Sequence, residues 1–254
     1  MSVWGRGMRK PVVAANWKMN GSLELCECFT RKLARPEFAD VWIFPSALHL
    51  ASLTDYFRDS DIATGAQNVW CEPEGAYTGE ISAMMVKTLG ARFALVGHSE
   101  RRAMFGDSDA VVAKKFSKIA EAGLVPVLCV GETLEERESG LAFEAVHRQL
   151  NAVEDVWECQ DYSHEVIAYE PVWAIGTGKA ATAEIAQEMQ ARIRDHIDRK
   201  GSGKSDELRI LYGGSVKASN ASELIAQNDI DGFLVGGASL DVDEFNQICE
   251  AVKS

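Results

Sequence analysis

Eight short, apolar, β-rich runs, each followed by a stretch of helical pattern, predict an α/β protein of eight βα units closed into a parallel barrel, a (β/α)8 fold. The chain has 254 residues, close to the roughly 250 that such a barrel takes. Strand starts recur about every 31 residues, the size of one βα unit. Several runs are continuously apolar, as in Phe93-Ala94-Leu95-Val96, which is the pattern of strands covered on both faces. A doubly wound open sheet has the same order of elements and is the alternative architecture.

The predicted strands are Val12–Ala15, Val41–Phe44, Ile62–Ala66, Phe93–Val96, Val125–Val130, Val166–Tyr169, Leu208–Leu211 and Gly232–Val235. Asp107-Ser108-Asp109 precedes the apolar face of Val111, Val112, Phe116, Ile119 and Ala120, and Gly123 ends that helix. Thr182 is placed to cap a helix over Ala183–Arg199, where Ile185, Met189, Ile193 and Ile197 recur every fourth residue. Gly201-Ser202-Gly203-Lys204-Ser205 has the composition of a linker but falls between a helix and a strand inside the repeat. The expectation is therefore one domain over 1–254, with residues 1–10 a short extension before the first strand.

Composition narrows the function classes. Hydrophobic residues make up 46% and charged residues 25%, an ordinary globular balance. The longest apolar stretches are about ten residues, half of what a membrane span takes. Met1–Lys10 carries charge and no apolar run, so neither a membrane nor a secretory signal is expected. Lys and Arg total 26 against 38 Asp and Glu, a net charge of −12, and no basic run offers a nucleic-acid face. An anionic ligand must then be held by local features. Cys26, Cys28, Cys71, Cys129, Cys159 and Cys249 form no C-x-x-C pair and no His-rich cluster, which predicts reduced thiols, a cytoplasmic location and no metal.

In either architecture chemistry belongs at the C-terminal ends of the strands. Asn16-Trp17-Lys18 follows the first strand, placing a lysine where a point charge serves an anionic substrate. The fourth ends in Gly97-His98-Ser99-Glu100-Arg101-Arg102. A helical turn opened by Ser99 and Glu100 puts His98 at its N-terminus, where the dipole disfavours imidazolium and keeps a neutral ring able to donate. The sixth strand ends in Ala168-Tyr169-Glu170-Pro171, and Pro171 biases Glu170 to an extended backbone at the strand mouth. The apolar Val172, Trp173 and Ile175, hemmed by Pro171, Gly176 and Gly178, read as a lid that packs on closing. A static, well-packed loop is the other reading. Gly213-Gly214-Ser215 and Gly236-Gly237 end the last two strands and expose backbone N–H groups suited to a phosphate.

Two nucleotide-like patterns fail. Gly203-Lys204-Ser205 has Asp198 where a P-loop demands glycine, and Gly176-Thr177-Gly178 has Ala181 where the dinucleotide fingerprint wants glycine in its usual setting.

Taken together, Asn16-Trp17-Lys18, Gly97–Arg102, Tyr169-Glu170-Pro171-Val172-Trp173-Ala174-Ile175-Gly176-Thr177-Gly178, Tyr212–Ser215 and Gly236-Gly237-Ala238-Ser239-Leu240 resemble the triosephosphate isomerase family. The resemblance runs from about Pro11 to the C-terminus in that family's order and spacing. It implies a TIM barrel that interconverts dihydroxyacetone phosphate and D-glyceraldehyde 3-phosphate, in glycolysis and gluconeogenesis, with no cofactor. By resemblance Glu170 is the base, His98 the neutral electrophile, Lys18 and Asn16 substrate contacts, and Gly176, Ser215, Gly236 and Gly237 the phosphate holders. This enzyme is also a standard illustration of a carboxylate base, a neutral histidine and a closing loop. The resemblance further implies a homodimer through the loop Gly75–Glu80, with Gln67-Asn68 beside it and Thr78 reaching the neighbour's site. Ala15, Asp107 and Asp241 depart from the family's usual glycine, glutamate and lysine. Asp107 is expected to weaken a carboxylate contact to Arg101. Another phosphosugar isomerase on the same barrel, and a non-catalytic phosphometabolite-binding protein, are the competing readings; intact Lys18, His98 and Glu170 argue against the second.

Overall fold

The computed structural model describes residues 9–156, 165–174, 181–199 and 205–253. Its eight strands, β1 (Val12–Asn16), β2 (Asp40–Phe44), β3 (Ala63–Ala66), β4 (Phe93–Val96), β5 (Val125–Val130), β6 (Val166–Tyr169), β7 (Arg209–Tyr212) and β8 (Gly232–Val235), pair in chain order. All neighbours are parallel, and β8 returns to β1 with Val12 opposite Gly232 and Ala15 opposite Val235. The sheet is therefore closed, and the open-sheet alternative is excluded. The fold is the (β/α)8 TIM barrel.

Helices follow the strands: α1 (Leu23–Lys32), α2 (Ala47–Tyr56), α3 (Ala83–Thr88), α4 (Ser99–Met104), α5 (Asp109–Glu121), α6 (Leu134–Glu138), α7 (Ala142–Glu154), α8 (Ala183–Arg199), α9 (Ala218–Ile225) and α10 (Val242–Ala251). Their starts are capped as side-chain chemistry predicts. Ser108 accepts the Val111 N–H, Thr182 accepts the Ile185 N–H, and Asp241 accepts from Asp243 and Glu244. Asp241 thus serves here as a helix cap.

Alternation along each strand divides the core in two. Val12, Ala14, Trp42, Phe44, Phe93, Leu95, Cys129, Ala168, Leu211 and Leu234 pack inside the barrel. Val13, Ala15, Ile43, Val96, Leu128, Ile167, Ile210 and Val235 face the helices and meet Phe29, Phe116, Ile193 and Phe245. Trp42 stacks on Phe93 with centroids 4.0 Å apart, so large rings fill the interior that small residues such as Ala14 and Ala168 leave. The barrel is solid below its mouth, and a ligand meets only the strand ends.

Three expectations shift slightly. β3 starts at Ala63 and β7 runs Arg209–Tyr212, each one residue later than the apolar pattern suggested. Residues 201–204 of the linker-like segment lie outside the described residues, and Ser205 is buried, its carbonyl accepting from Arg194 at 2.5 Å. Asp107 does reach Arg101: its Oδ2 accepts Arg101 Nε at 2.9 Å and the buried Lys115 ammonium at 2.8 Å. The shorter side chain keeps the contact and the expected weakening is not seen. Among the described residues no helix is long and apolar enough to cross a membrane.

Candidate active site

The loops after the strands build one pocket at the C-terminal mouth. Asn16 ends β1, is 4% exposed, and its Oδ1 accepts the Lys18 N–H at 3.0 Å. That bond bends the chain sharply, and Lys18 adopts φ +52, a conformation costly for any residue with a Cβ. Gln67 holds it there, its Nε2 donating to the Lys18 and Phe44 carbonyls at 2.8 and 2.9 Å. The strained backbone aims the Lys18 ammonium inward, where it pairs with Glu100 Oε1 at 2.6 Å and its stem lies against Gly236.

His98 is the N-cap of α4, and its Nδ1 accepts the Glu100 N–H at 3.3 Å. An accepting Nδ1 carries no proton, so the ring's hydrogen sits on Nε2. Nε2 meets Glu170 Oε1 at 3.0 Å, and Glu170 Oε2 accepts the Ser99 N–H at 2.9 Å. Glu170 is 2% exposed. Its stem is flanked by Gly213, where a Cβ would approach Glu170 Cγ to 2.9 Å, so the glycine at 213 is needed for fit.

Burial, the largest influence on each, acts oppositely to the net shifts. It lowers the His98 pKa, but the Glu170 charge and hydrogen bond, with Glu100, more than offset it and the value is raised. Burial raises the Glu170 pKa, yet His98, the Ser99 N–H and Lys18 bring it below the usual carboxylate value. The neutral ring expected from the helix dipole alone is thus opposed by Glu170 while the two stay paired.

Asn16, Lys18, His98, Glu170, Ser215, Gly236 and Gly237 all line a cavity of about 360 Å³. Gly176 and the lid from Ile175 to Ala180 lie outside the described residues. Ser215 Oγ donates to the Ala174 carbonyl at 3.1 Å, tying the phosphate-type turn to the segment that leads into the lid. Gly237 opens a short 3₁₀ turn, Gly237–Leu240. The arrangement brings a carboxylate, an imidazole and a cation into one cavity with glycine-rich backbone beside them.

Residue reasoning missed Glu132. It follows Gly131 past β5, is fully buried, and Oε1 accepts from Tyr169 Oη at 3.0 Å, Trp173 Nε1 at 2.7 Å and Arg137 at 2.9 Å. Trp173 is therefore held by a polar anchor as well as by packing. An acidic residue directly after an apolar strand was the available signal. Among the described residues no group of His, Cys, Asp and Glu has metal-holding geometry.

The Triosephosphate isomerase family model matches residues 11–252. The chain is similar to the triosephosphate isomerase of Nitrosococcus oceani, 48% identical over 248 residues, covering 96% of this chain and 99% of that protein. It is also similar to that of Pseudomonas putida strain W619, at 47% with the same coverage, and to that of Psychromonas ingrahamii, at 48% over 97% of this chain and 100% of the relative. With a match running nearly end to end and a pocket built from the motifs that first suggested it, the chain belongs to the triosephosphate isomerase family.

Proposed function

We propose that the protein interconverts dihydroxyacetone phosphate and D-glyceraldehyde 3-phosphate through an enediolate, with Glu170 as the base. The observation that carries this is the buried Glu170 carboxylate 3.0 Å from the Nε2 of a histidine whose Nδ1 accepts a backbone N–H. A proton α to a carbonyl becomes acidic only if the oxygen that gathers charge meets donors. His98 Nε2–H and the Lys18 ammonium supply them, and Asn16 lines the same wall. Ser215, Gly236 and Gly237 form the phosphate end, with the Gly176 amide joining when the lid closes.

In the free protein both Glu170 oxygens are engaged, by His98 and the Ser99 N–H. Substrate must draw the carboxylate off both partners. Losing their stabilisation raises its basicity, and with the Glu170 charge drawn away burial favours the neutral ring whose Nε2–H donates. One movement thus readies base and electrophile together. Lid closure then dries the site and protects the enediolate, whose β-phosphate is otherwise expelled.

We read the active form as a homodimer. Met19, Leu48, Tyr77, Met84, Met85 and Phe105 are exposed and all lie in segments following β1 to β4. Thr78 is exposed on the loop Gly75–Glu80, and a cavity of about 240 Å³ beside the site, lined by Met19, Asn68, Arg101 and Phe105, suits such a loop from a neighbour. The free thiols of Cys26, Cys28, Cys71, Cys129 and Cys249 support a reducing, cytoplasmic setting, and the family match over 11–252 supports one domain.

Conversion of D-glyceraldehyde 3-phosphate in deuterated water tests the chemistry. The expected product carries deuterium at carbon 1 of dihydroxyacetone phosphate, because the base exchanges its proton with solvent. Product and recovered substrate that both stay free of deuterium through prolonged incubation would show no exchanging base and would overturn the assignment.

A further inference from the structure

Glu170 lies one residue past β6, and something must fix its main chain. Its N–H donates to the Val130 carbonyl at 2.7 Å. Its own carbonyl group rests on Gly131: a Cβ built at 131 would meet Glu170 O at 1.7 Å and the carbonyl carbon at 2.7 Å. The Glu170 main chain therefore fills the volume a side chain at 131 would take, and a displacement of Gly131 passes directly to it.

Gly131 is itself one residue beyond β5. Its two backbone polar groups are taken by a single side chain, Gln149 of α7. Gln149 Oε1 accepts the Gly131 N–H at 2.9 Å, and Nε2 donates to the Gly131 carbonyl at 2.9 Å. The planar amide offers acceptor and donor as a neighbouring strand would, and so extends the pairing of β5 by one residue. Gln149 is 5% exposed and sits on the buried face of α7 with Ala145, Val146, Leu150, Val153 and Glu154. A buried polar side chain there is tolerated because both ends are satisfied. Gln149, Gly131, Glu170 and Val172 also border a cavity of about 400 Å³ on this side of the barrel, so without the amide the Gly131 turn has room to move.

We infer that Gln149 is a positioning residue for the isomerisation: its amide fixes Gly131, and Gly131 is the seat that keeps the Glu170 carboxylate aligned with His98 and substrate. The inference rests on the reading of Glu170 as base. It concerns alignment and not substrate affinity, because the phosphate-holding turns at Ser215 and Gly236 come from other strands.

Gln149→Met preserves length and volume and removes both hydrogen bonds. Its kcat is expected to fall about ten-fold, the scale of a sub-ångström misalignment, with KM within about two-fold of wild type. Gln149→Asn keeps the amide but retracts it by one methylene, and a smaller loss of the same kind is expected. The His98 ring, which Glu170, Glu100 and Lys18 face, reports alignment independently: as Glu170 draws away, its titration followed by NMR moves to lower pH in both variants. Circular dichroism at the assay temperature establishes which variants are folded, and either folded variant decides the matter. A kcat within two-fold of wild type, a KM that rises as much as kcat falls, or a His98 titration that stays in place would overturn the inference. Glu170→Asp in the same assay separates the two readings: wild-type turnover there removes the base, whereas a large loss there with none in Gln149→Met removes only the role of Gln149.

Discussion

Glu170 and His98 set each other's titration. The carboxylate keeps the imidazole more basic than burial alone would, and the imidazole with the Ser99 N–H keeps the carboxylate more acidic. Removing the charge shows the sign. In Glu170→Gln, burial, the largest influence on His98, loses its main opponent, and the His98 pKa falls from its raised value, as NMR of the ring will show. An unchanged or higher value would mean that the contact of 3.0 Å does not govern the ring. Linkage follows the same signs: the Glu170 contribution to stability is present above the ordinary carboxylate pKa and is lost as pH falls through its lowered value, while that of His98 is full below its ordinary pKa and fades as pH rises through the raised one. At this scale the sequence located Glu170 and His98 by their places at strand ends. It did not disclose that they touch, because they stand 72 residues apart and only barrel closure brings them together. Gln149 and Glu132 were harder still, since each acts through backbone or ring partners that no local pattern names.

The turn Val172–Ala174 is the fixed root of the lid. Its backbone is tied to Glu132 through the Val172 N–H at 3.1 Å, and the Trp173 indole to the Glu132 carboxylate, with Arg137 4.8 Å over the Trp173 ring. On the lid reading, deleting Ile175 through Gly178 is expected to leave the thermal midpoint within a few degrees, because the anchored turn Val172–Ala174 stays in place. Isomerisation should fall steeply, while inorganic phosphate release rises relative to it as unprotected enediolate breaks down to methylglyoxal. Intact isomerisation, or no relative rise in phosphate, would sink the lid reading, and a collapsed midpoint would favour the static loop. The strands were legible to within a residue because a parallel barrel buries both faces and writes continuous apolar runs. The short helix α6 escaped the pattern, being only a turn or so long and fixed by its capping box, whereas the turn opened by Ser99 and Glu100 is α4, with His98 as its N-cap.

Across the molecule, the apolar side chains exposed after β1 to β4 and the cavity beside Lys18 and His98 are what support the proposal of a homodimer. Thr78→Arg places a long cation at that contact. Sedimentation should then show monomers, with activity well below that of wild type; a wild type already monomeric and fully active would discard the interface. The barrel supplies the strand ends, the loops carry the side chains, and together they hold the Glu170 carboxylate beside His98 at the mouth, where the proposed reaction needs a base. Turnover of Glu170→Asp measures that most directly. Withdrawing the carboxylate by one methylene, about an ångström, is expected to lower kcat at least 10²-fold while the affinity for inorganic phosphate changes by no more than a few-fold. Turnover within a few-fold of wild type, in a variant of unchanged fold, would contradict the assignment of Glu170 as the base.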